Sequence, residues 1–136
     1  MERRAFLKSS AALCFALGTF SFEGCTNYKS ISVNEESGKL KVKKVDFFDE
    51  KFIIVNSMST NAPIYLSKQE ENSYIALLML CTHKSCEVKP QGNLLVCPCH
   101  GSEFANSGKV LKEPADKDLA QYKTSFDENY IYIYLK

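Results

Sequence analysis

At 136 residues, the chain has room for one modest domain after any leader is removed. Its 17 basic and 16 acidic residues leave a formal net charge of +1, which gives no electrostatic footprint for nucleic acid. Hydrophobic residues make up 45% of the chain, an ordinary share for a globular fold, and there are no internal repeats.

The first segment, Met1-Glu2-Arg3-Arg4-Ala5-Phe6-Leu7-Lys8, resembles the twin-arginine export signal R-R-x-F-L-K. A basic start followed by the apolar run from Ala11 to Phe22 is the layout of a targeting segment rather than of a folded core. The alternative is a soluble helix with two chance arginines. The twin-arginine route carries folded cargo. The apolar run is short of the ~20 residues a spanning helix needs. Counting from Ala5 reaches that length only by including Lys8, Ser9 and Ser10, which leaves an uncleaved anchor as one reading. Gly24-Cys25 resembles a lipoprotein processing site, with Glu23 and Phe22 departing from the usual residues, and lipidation of Cys25 is the preferred reading. Residues 1–25 are thus read as leader and 26–38 as a polar tether. The protein is expected to be membrane-anchored in the periplasm or on the outer face of a bacterial membrane.

Residues 39–136 read as strands. Leu40, Val42 and Val45 interleave with lysines as a half-exposed edge, and Phe52–Val55 and Pro63–Leu66 are short apolar runs. Tyr74 to Leu80 runs directly into Cys81. Its length and its entry into a loop favour a buried strand over a helix. Pro90-Gln91-Gly92-Asn93 is a turn signal, and Leu94-Leu95-Val96 leads to Cys97. Tyr122–Phe126 and Tyr130–Leu135, joined by Asp127-Glu128-Asn129, form a closing hairpin whose tyrosines are read as strand packing. No helix is predicted outside the leader.

Two segments, Cys81-Thr82-His83-Lys84-Ser85-Cys86 and Cys97-Pro98-Cys99-His100-Gly101-Ser102, hold both histidines and four of the six cysteines. Thiolates and imidazoles are ligands for iron and zinc, and here each segment mixes the two types. A structural zinc site is one reading, but zinc fingers usually group thiols and imidazoles separately, and zinc leaves Cys86 and Cys99 without a role. A domain held by disulfides alone leaves the histidines without one.

The segments resemble the loops C-T-H-x-G-C and C-P-C-H-G-S of the Rieske iron–sulfur proteins of the cytochrome bc family. The second matches at all six positions, and the first departs at Ser85, where the family has Gly. The resemblance implies an all-β fold, a small antiparallel β-sandwich with two cluster-binding loops at one tip, carrying one [2Fe–2S] cluster per chain. Carried over by motif position, Cys81 and Cys97 ligate one iron, His83 and His100 the other, and Cys86 and Cys99 form a disulfide between the loops. An exported location permits that bond. A Rieske ferredoxin serving an oxygenase typically lacks this second cysteine pair.

Imidazole ligation lowers the cluster's negative charge, and such centres fall at roughly −150 to +300 mV against about −400 mV for plant-type ferredoxins. Reduction adds charge beside the imidazoles, which couples electron and proton uptake. In the family, the serine of C-H-G-S donates to a bridging sulfide and a tyrosine two residues later donates to a ligating thiolate. Ser102 keeps the first donor; Phe104 removes the second and implies a lower potential, suited to a low-potential donor such as menaquinol.

The implied role is that of an electron carrier or redox subunit rather than a stand-alone enzyme. Its partner is a cytochrome or the molybdenum subunit of an arsenite-oxidase-like enzyme, with quinol oxidation in a cytochrome bc-type complex as the alternative. Two departures favour the protein partner. Quinol-oxidising relatives carry an apolar residue after the first ligand histidine, where this chain has Lys84. Their Gly-Pro-Ala-Pro loop reads Glu113-Pro114-Ala115-Asp116 here. Burying such charges in a greasy pocket is costly.

Overall fold

The structure is a computed structural model that describes residues 27–70 and 73–136. The export signal, the apolar run and the lipidation candidate Cys25 lie outside those residues.

Among the described residues there are twelve strands: β1 (Ser30–Ser32), β2 (Glu35–Glu36), β3 (Lys39–Lys43), β4 (Phe52–Asn56), β5 (Ile64–Lys68), β6 (Tyr74–Leu78), β7 (Lys89–Gln91), β8 (Leu94–Val96), β9 (Glu103–Ala105), β10 (Val110–Lys112), β11 (Gln121–Phe126) and β12 (Tyr130–Tyr134). Eight form a sheet in the order β1-β4-β5-β6-β11-β12-β3-β2, and four form a second in the order β10-β9-β8-β7. Pairing is antiparallel except between β1 and β4, which run parallel with Ser30 opposite Ile54. β1 and β2 occupy opposite edges of the large sheet, yet only Val33 and Asn34 separate them. Such a short link spans roughly 11 Å from Cα to Cα. The sheet must therefore curl until its two edges approach each other.

Burial follows from that curl. Alternating residues of β3 and β12 point inward, so Leu40, Val42, Ile131 and Ile133 are almost fully buried while the lysines and tyrosines between them face out. Diagonally across the two strands, one pair out of register, Lys41 packs on the Tyr130 ring and Lys39 on Tyr132. Asp127 caps the closing turn: its carboxylate accepts from the Tyr132 hydroxyl and from the Asn129 and Tyr130 N–H groups, which hold its pKa below the usual carboxylate value. The tyrosines thus behave as the sequence suggests, as strand packing.

β4, β5 and β6 are buried on both faces. Ile53, Val55, Ile64, Leu66 and Ala76 fill the inside of the curl. Ile54, Tyr65 and Leu77, alternating with them, face the small sheet and meet Val88, Leu95 and Phe104 there. Burial pushes the Tyr65 hydroxyl to about 12. This two-sided burial explains why these strands read as unbroken apolar runs rather than as alternating ones.

Three expectations need correction. The stretch 26–38, read as tether from its polar composition, supplies β1 and β2, so much of it is sheet edge. Val45 does not continue an edge strand: the chain turns into a short 3-10 segment at Lys44–Phe47, which buries Phe47 and leaves Val45 68% exposed. Pro90 and Gln91 belong to β7 rather than to a turn, which narrows to Gly92 and Asn93, with Gly92 at φ +60°. Proline is tolerated there because β7 is an edge strand. The strands β9 and β10 have no counterpart in the sequence reading.

The strand directions fix two poles. β6 starts at Tyr74, beside the end of β5 and the start of β4, and runs toward Cys81 at the other end. At an extended rise of roughly 3.3 Å per residue, these seven steps cover roughly 23 Å.

Candidate metal centre

β6 and β7 are joined by a loop carrying Cys81, His83 and Cys86, and β8 and β9 by a loop carrying Cys97, Cys99 and His100. The two loops share one backbone plan. The Cys81 N–H donates to the Cys86 carbonyl at 2.8 Å, and the Cys97 N–H to the Ser102 carbonyl at 2.8 Å. Returning bonds run from the Ser85 N–H to the Cys81 carbonyl at 2.9 Å and from the Gly101 N–H to the Cys97 carbonyl at 3.0 Å. Each loop thus wraps its first cysteine in the same five-residue spacing.

The plan requires a left-handed residue at the fourth position after each of those cysteines. Gly101 takes φ +79° without a Cβ penalty, whereas Ser85 is held at φ +58°. Here a side chain occupies a position suited to glycine. Ser85→Gly is expected to stabilise the domain by about 1 kcal/mol or less and raise Tm by a few degrees. Thermal unfolding measures this, and an unchanged or lower Tm contradicts the strain.

Cys86 and Cys99 are joined by a disulfide, S–S 2.07 Å, with Cα atoms 6.4 Å apart. The bond fastens one loop to the other, as the sequence resemblance implied. A third loop, residues 113–118, closes over both. The Thr82 hydroxyl donates to the Lys117 carbonyl at 2.7 Å, and the Ala115 N–H donates to the Ser102 hydroxyl oxygen at 3.0 Å. Ala115 is buried, while Glu113, Pro114, Asp116 and Lys117 are exposed. Sequence reasoning missed the tie from Thr82. The threonine in C-T-H was a signal, but its acceptor lies 35 residues away and is a backbone carbonyl.

The four expected ligands are brought to one end of the molecule. Cys81 and Cys97 are free thiols, 2% and 1% exposed, packed in the core shared with Val88, Leu95, Phe104 and Ala115. His83 and His100 are exposed, and their rings meet edge to face with centroids 4.9 Å apart. The donors are therefore sorted by depth, sulfur inside and imidazole outside. A single tetrahedral zinc asks four donors to converge on one point. A two-metal group lying across the depth of the tip, thiolates at its inner end and imidazoles at its outer end, fits this sorting better. Cys86, Cys97 and Cys99 also bring their sulfurs within 4.8 Å of one another. Two of those sulfurs are oxidised to the disulfide, however, so the trio is not a thiolate site.

Ser102 is fully buried. Its oxygen accepts from Ala115, so its own proton remains available for an acceptor. Phe104 on β9 is fully buried and offers no donor at all.

Comparison with known proteins places this geometry in context. Residues 28–123 match the family model described as the Rieske [2Fe-2S] domain. The cytochrome b6-f complex iron-sulfur subunit of Chlorobaculum tepidum is 29% identical over 93 residues, covering 67% of this chain and 44% of the relative. That of a Cyanothece species is 39% identical over 62 residues, covering 43% of this chain and 35% of the relative. The chain thus spans under half the length of these curated relatives. Among solved structures, the plasma membrane Rieske protein PetC3 of the cyanobacterium Synechocystis superposes with a TM-score of 0.57 at 33% identity, covering 67% of this chain and 93% of that one. A complex of oxygenase and ferredoxin in carbazole 1,9a-dioxygenase gives a TM-score of 0.56 at 22% identity over 74% of this chain and 96% of that one, a likeness of fold alone.

Proposed function

The chain belongs to the Rieske [2Fe–2S] domain family, and on that premise we propose that it is an exported, membrane-associated electron-transfer protein that passes single electrons to or from a redox protein partner. Rieske domains carry a [2Fe–2S] cluster, which takes up and releases one electron. In this reading Cys81 and Cys97 hold its inner iron and His83 and His100 its outer one. The buried thiols keep water from the inner end, and the exposed rings present the electron to a partner.

The observation that carries the choice of partner is the polarity of the tip. Lys84, next to His83, is exposed, and the covering loop shows Glu113, Asp116 and Lys117 to solvent. Seating these charges in an apolar quinol pocket would strip their hydration, whereas a transient protein contact leaves them at a wet rim. The Synechocystis neighbour is a plasma membrane protein, which supports the membrane setting.

A second reading rests on the relatives' names. The curated matches are subunits of cytochrome b6-f complexes, which favours a place in a quinol-oxidising cytochrome complex. Menaquinol oxidation by the isolated assembly, with and without Lys84→Leu, separates the two. The protein-partner reading expects no menaquinol-dependent reduction in either form. Turnover that rises with the leucine would favour the quinol complex.

Phe104 sets a second expectation. A hydroxyl at this buried position would donate to a ligating thiolate and favour the reduced, more negative state. Phe104→Tyr should therefore raise the reduction potential, on the order of 50 mV for a hydrogen bond worth about 1 kcal/mol more in the reduced state. Redox titration checks this; an unchanged or lowered potential contradicts it.

A further inference from the structure

The pole opposite the metal centre has features that electron transfer leaves unexplained. Of five exposed large hydrophobic residues among those described, three gather there: Val45 at 68% exposure, Phe48 at 79% and Phe126 at 48%. Val45 and Phe48 flank the buried Phe47, whose ring contacts Tyr74 at 5.5 Å; Tyr74 in turn contacts Phe126 at 5.7 Å. Lys44 reaches over the Phe126 ring at 4.6 Å, and Lys43 and Lys51 flank the same loop. Apolar side chains ringed by long lysines suit an interface between hydrocarbon and water, where the stems stay dry and the ammonium groups stay wet.

The chain enters the fold at this pole. The Ile54 N–H donates to the Lys29 carbonyl at 2.9 Å, at the start of β4. The Lys29 ammonium donates to the Asp46 carbonyl at 2.8 Å, which ties the point of entry to the loop bearing Val45 and Phe48. Because β1 begins at Ser30, only four residues, 26–29, separate Cys25 from the sheet. Even fully extended, the path from Cys25 to Ser30 covers no more than roughly 18 Å. A lipid on Cys25 would therefore keep this pole close to the bilayer, with little freedom to swing.

We propose that the pole bearing Val45, Phe48 and Phe126 rests on the lipid surface that anchors the chain, turning His83 and His100 toward the aqueous side. This rests on the membrane-associated reading above and adds an orientation to it. Asp46, Asp49 and Glu50 lie in the same loop, so the contact is apolar and does not depend on anionic headgroups. The redox partner then approaches from the water and not from within the bilayer.

The chain contains no tryptophan, so one introduced indole reports alone. Phe48→Trp places it on the proposed contact. Met58→Trp places it at a fully exposed position in the loop between β4 and β5, at the end of the sheet where β6 finishes. Both positions are on the surface, so both variants should fold. The full-length holoprotein is reconstituted into phosphatidylcholine vesicles, and emission is compared with that in phosphatidylcholine brominated near the top of its acyl chains. Taking the ratio for each variant cancels quenching by the cluster. Loss of emission in brominated lipid for Phe48→Trp, with none for Met58→Trp, is the expected result. If the protein floats with the vesicles but Phe48→Trp is not quenched, or Met58→Trp is quenched instead, the orientation is overturned and the membrane reading stands. If the protein does not float with vesicles, the membrane reading fails and takes this proposal with it.

Discussion

Replacing Cys81 by serine is expected to abolish the cluster and to leave a poorly folded domain. Two effects add. The variant lacks one of the two buried thiols proposed to hold the inner iron, and it places a hydroxyl at a site that is 2% exposed among Val88, Leu95, Phe104 and Ala115. A buried hydroxyl without a partner is costly. The wider loss comes from linkage: ligands that fold around a metal group carry its binding free energy as folding free energy. The domain has little to offset this, since each core is small and the ligand loops carry no regular structure. Visible absorption should vanish and near-ultraviolet circular dichroism should weaken markedly. A variant without cluster but with the wild-type circular dichroism spectrum would contradict the coupling.

Removing the disulfide should have the next largest effect. Cys86 and Cys99 are 13 residues apart, and closing a loop of about that length contributes roughly 3 kcal/mol in the chain-entropy description. Against a typical total of about 5–15 kcal/mol, that is a large fraction. The bond also ties the two ligand loops together, which otherwise meet where the His83 and His100 rings touch and share the cover of the third loop through Thr82 and Ser102. The double variant Cys86→Ala, Cys99→Ala should unfold at a lower temperature and lose cluster faster on standing. A control is built in: reductant should lower the Tm of the wild type and leave that of the variant unchanged. Equal Tm values for the two proteins without reductant would show that the cross-link contributes nothing.

The candidate metal centre was legible in the sequence because its residues are local. Each candidate ligand set lies within six residues, and cysteine and histidine are scarce enough for their spacing to carry meaning. The longer strands were legible for a similar reason: β3 and β12 alternate over five residues, and β4 to β6 form apolar runs long enough to stand out. The missed elements share a different origin. β9 and β10 have three residues each, too few to establish a period, and their pairing is set by partners across the small sheet. β1 is Ser-Ile-Ser and β2 Glu-Glu, too short and polar to stand out, and they become strands where the curled sheet offers them open edges. Ser85 departs from glycine in the motif, but its positive φ emerges only when the two loops are superposed on their common hydrogen-bond plan. The third loop was visible as Glu113-Pro114-Ala115-Asp116. That only Ala115 among them turns inward, to meet Ser102, was not.

The proposed centre has two irons held by sulfur and imidazole donors in different surroundings. Electron paramagnetic resonance of the anaerobically purified, dithionite-reduced protein, with acid-labile sulfide assayed on the same sample, tests this most directly. The expected result is labile sulfide together with a reduced-state signal whose average g value lies below that of the free electron. Protein that contains zinc, lacks labile sulfide and is silent on reduction would contradict it.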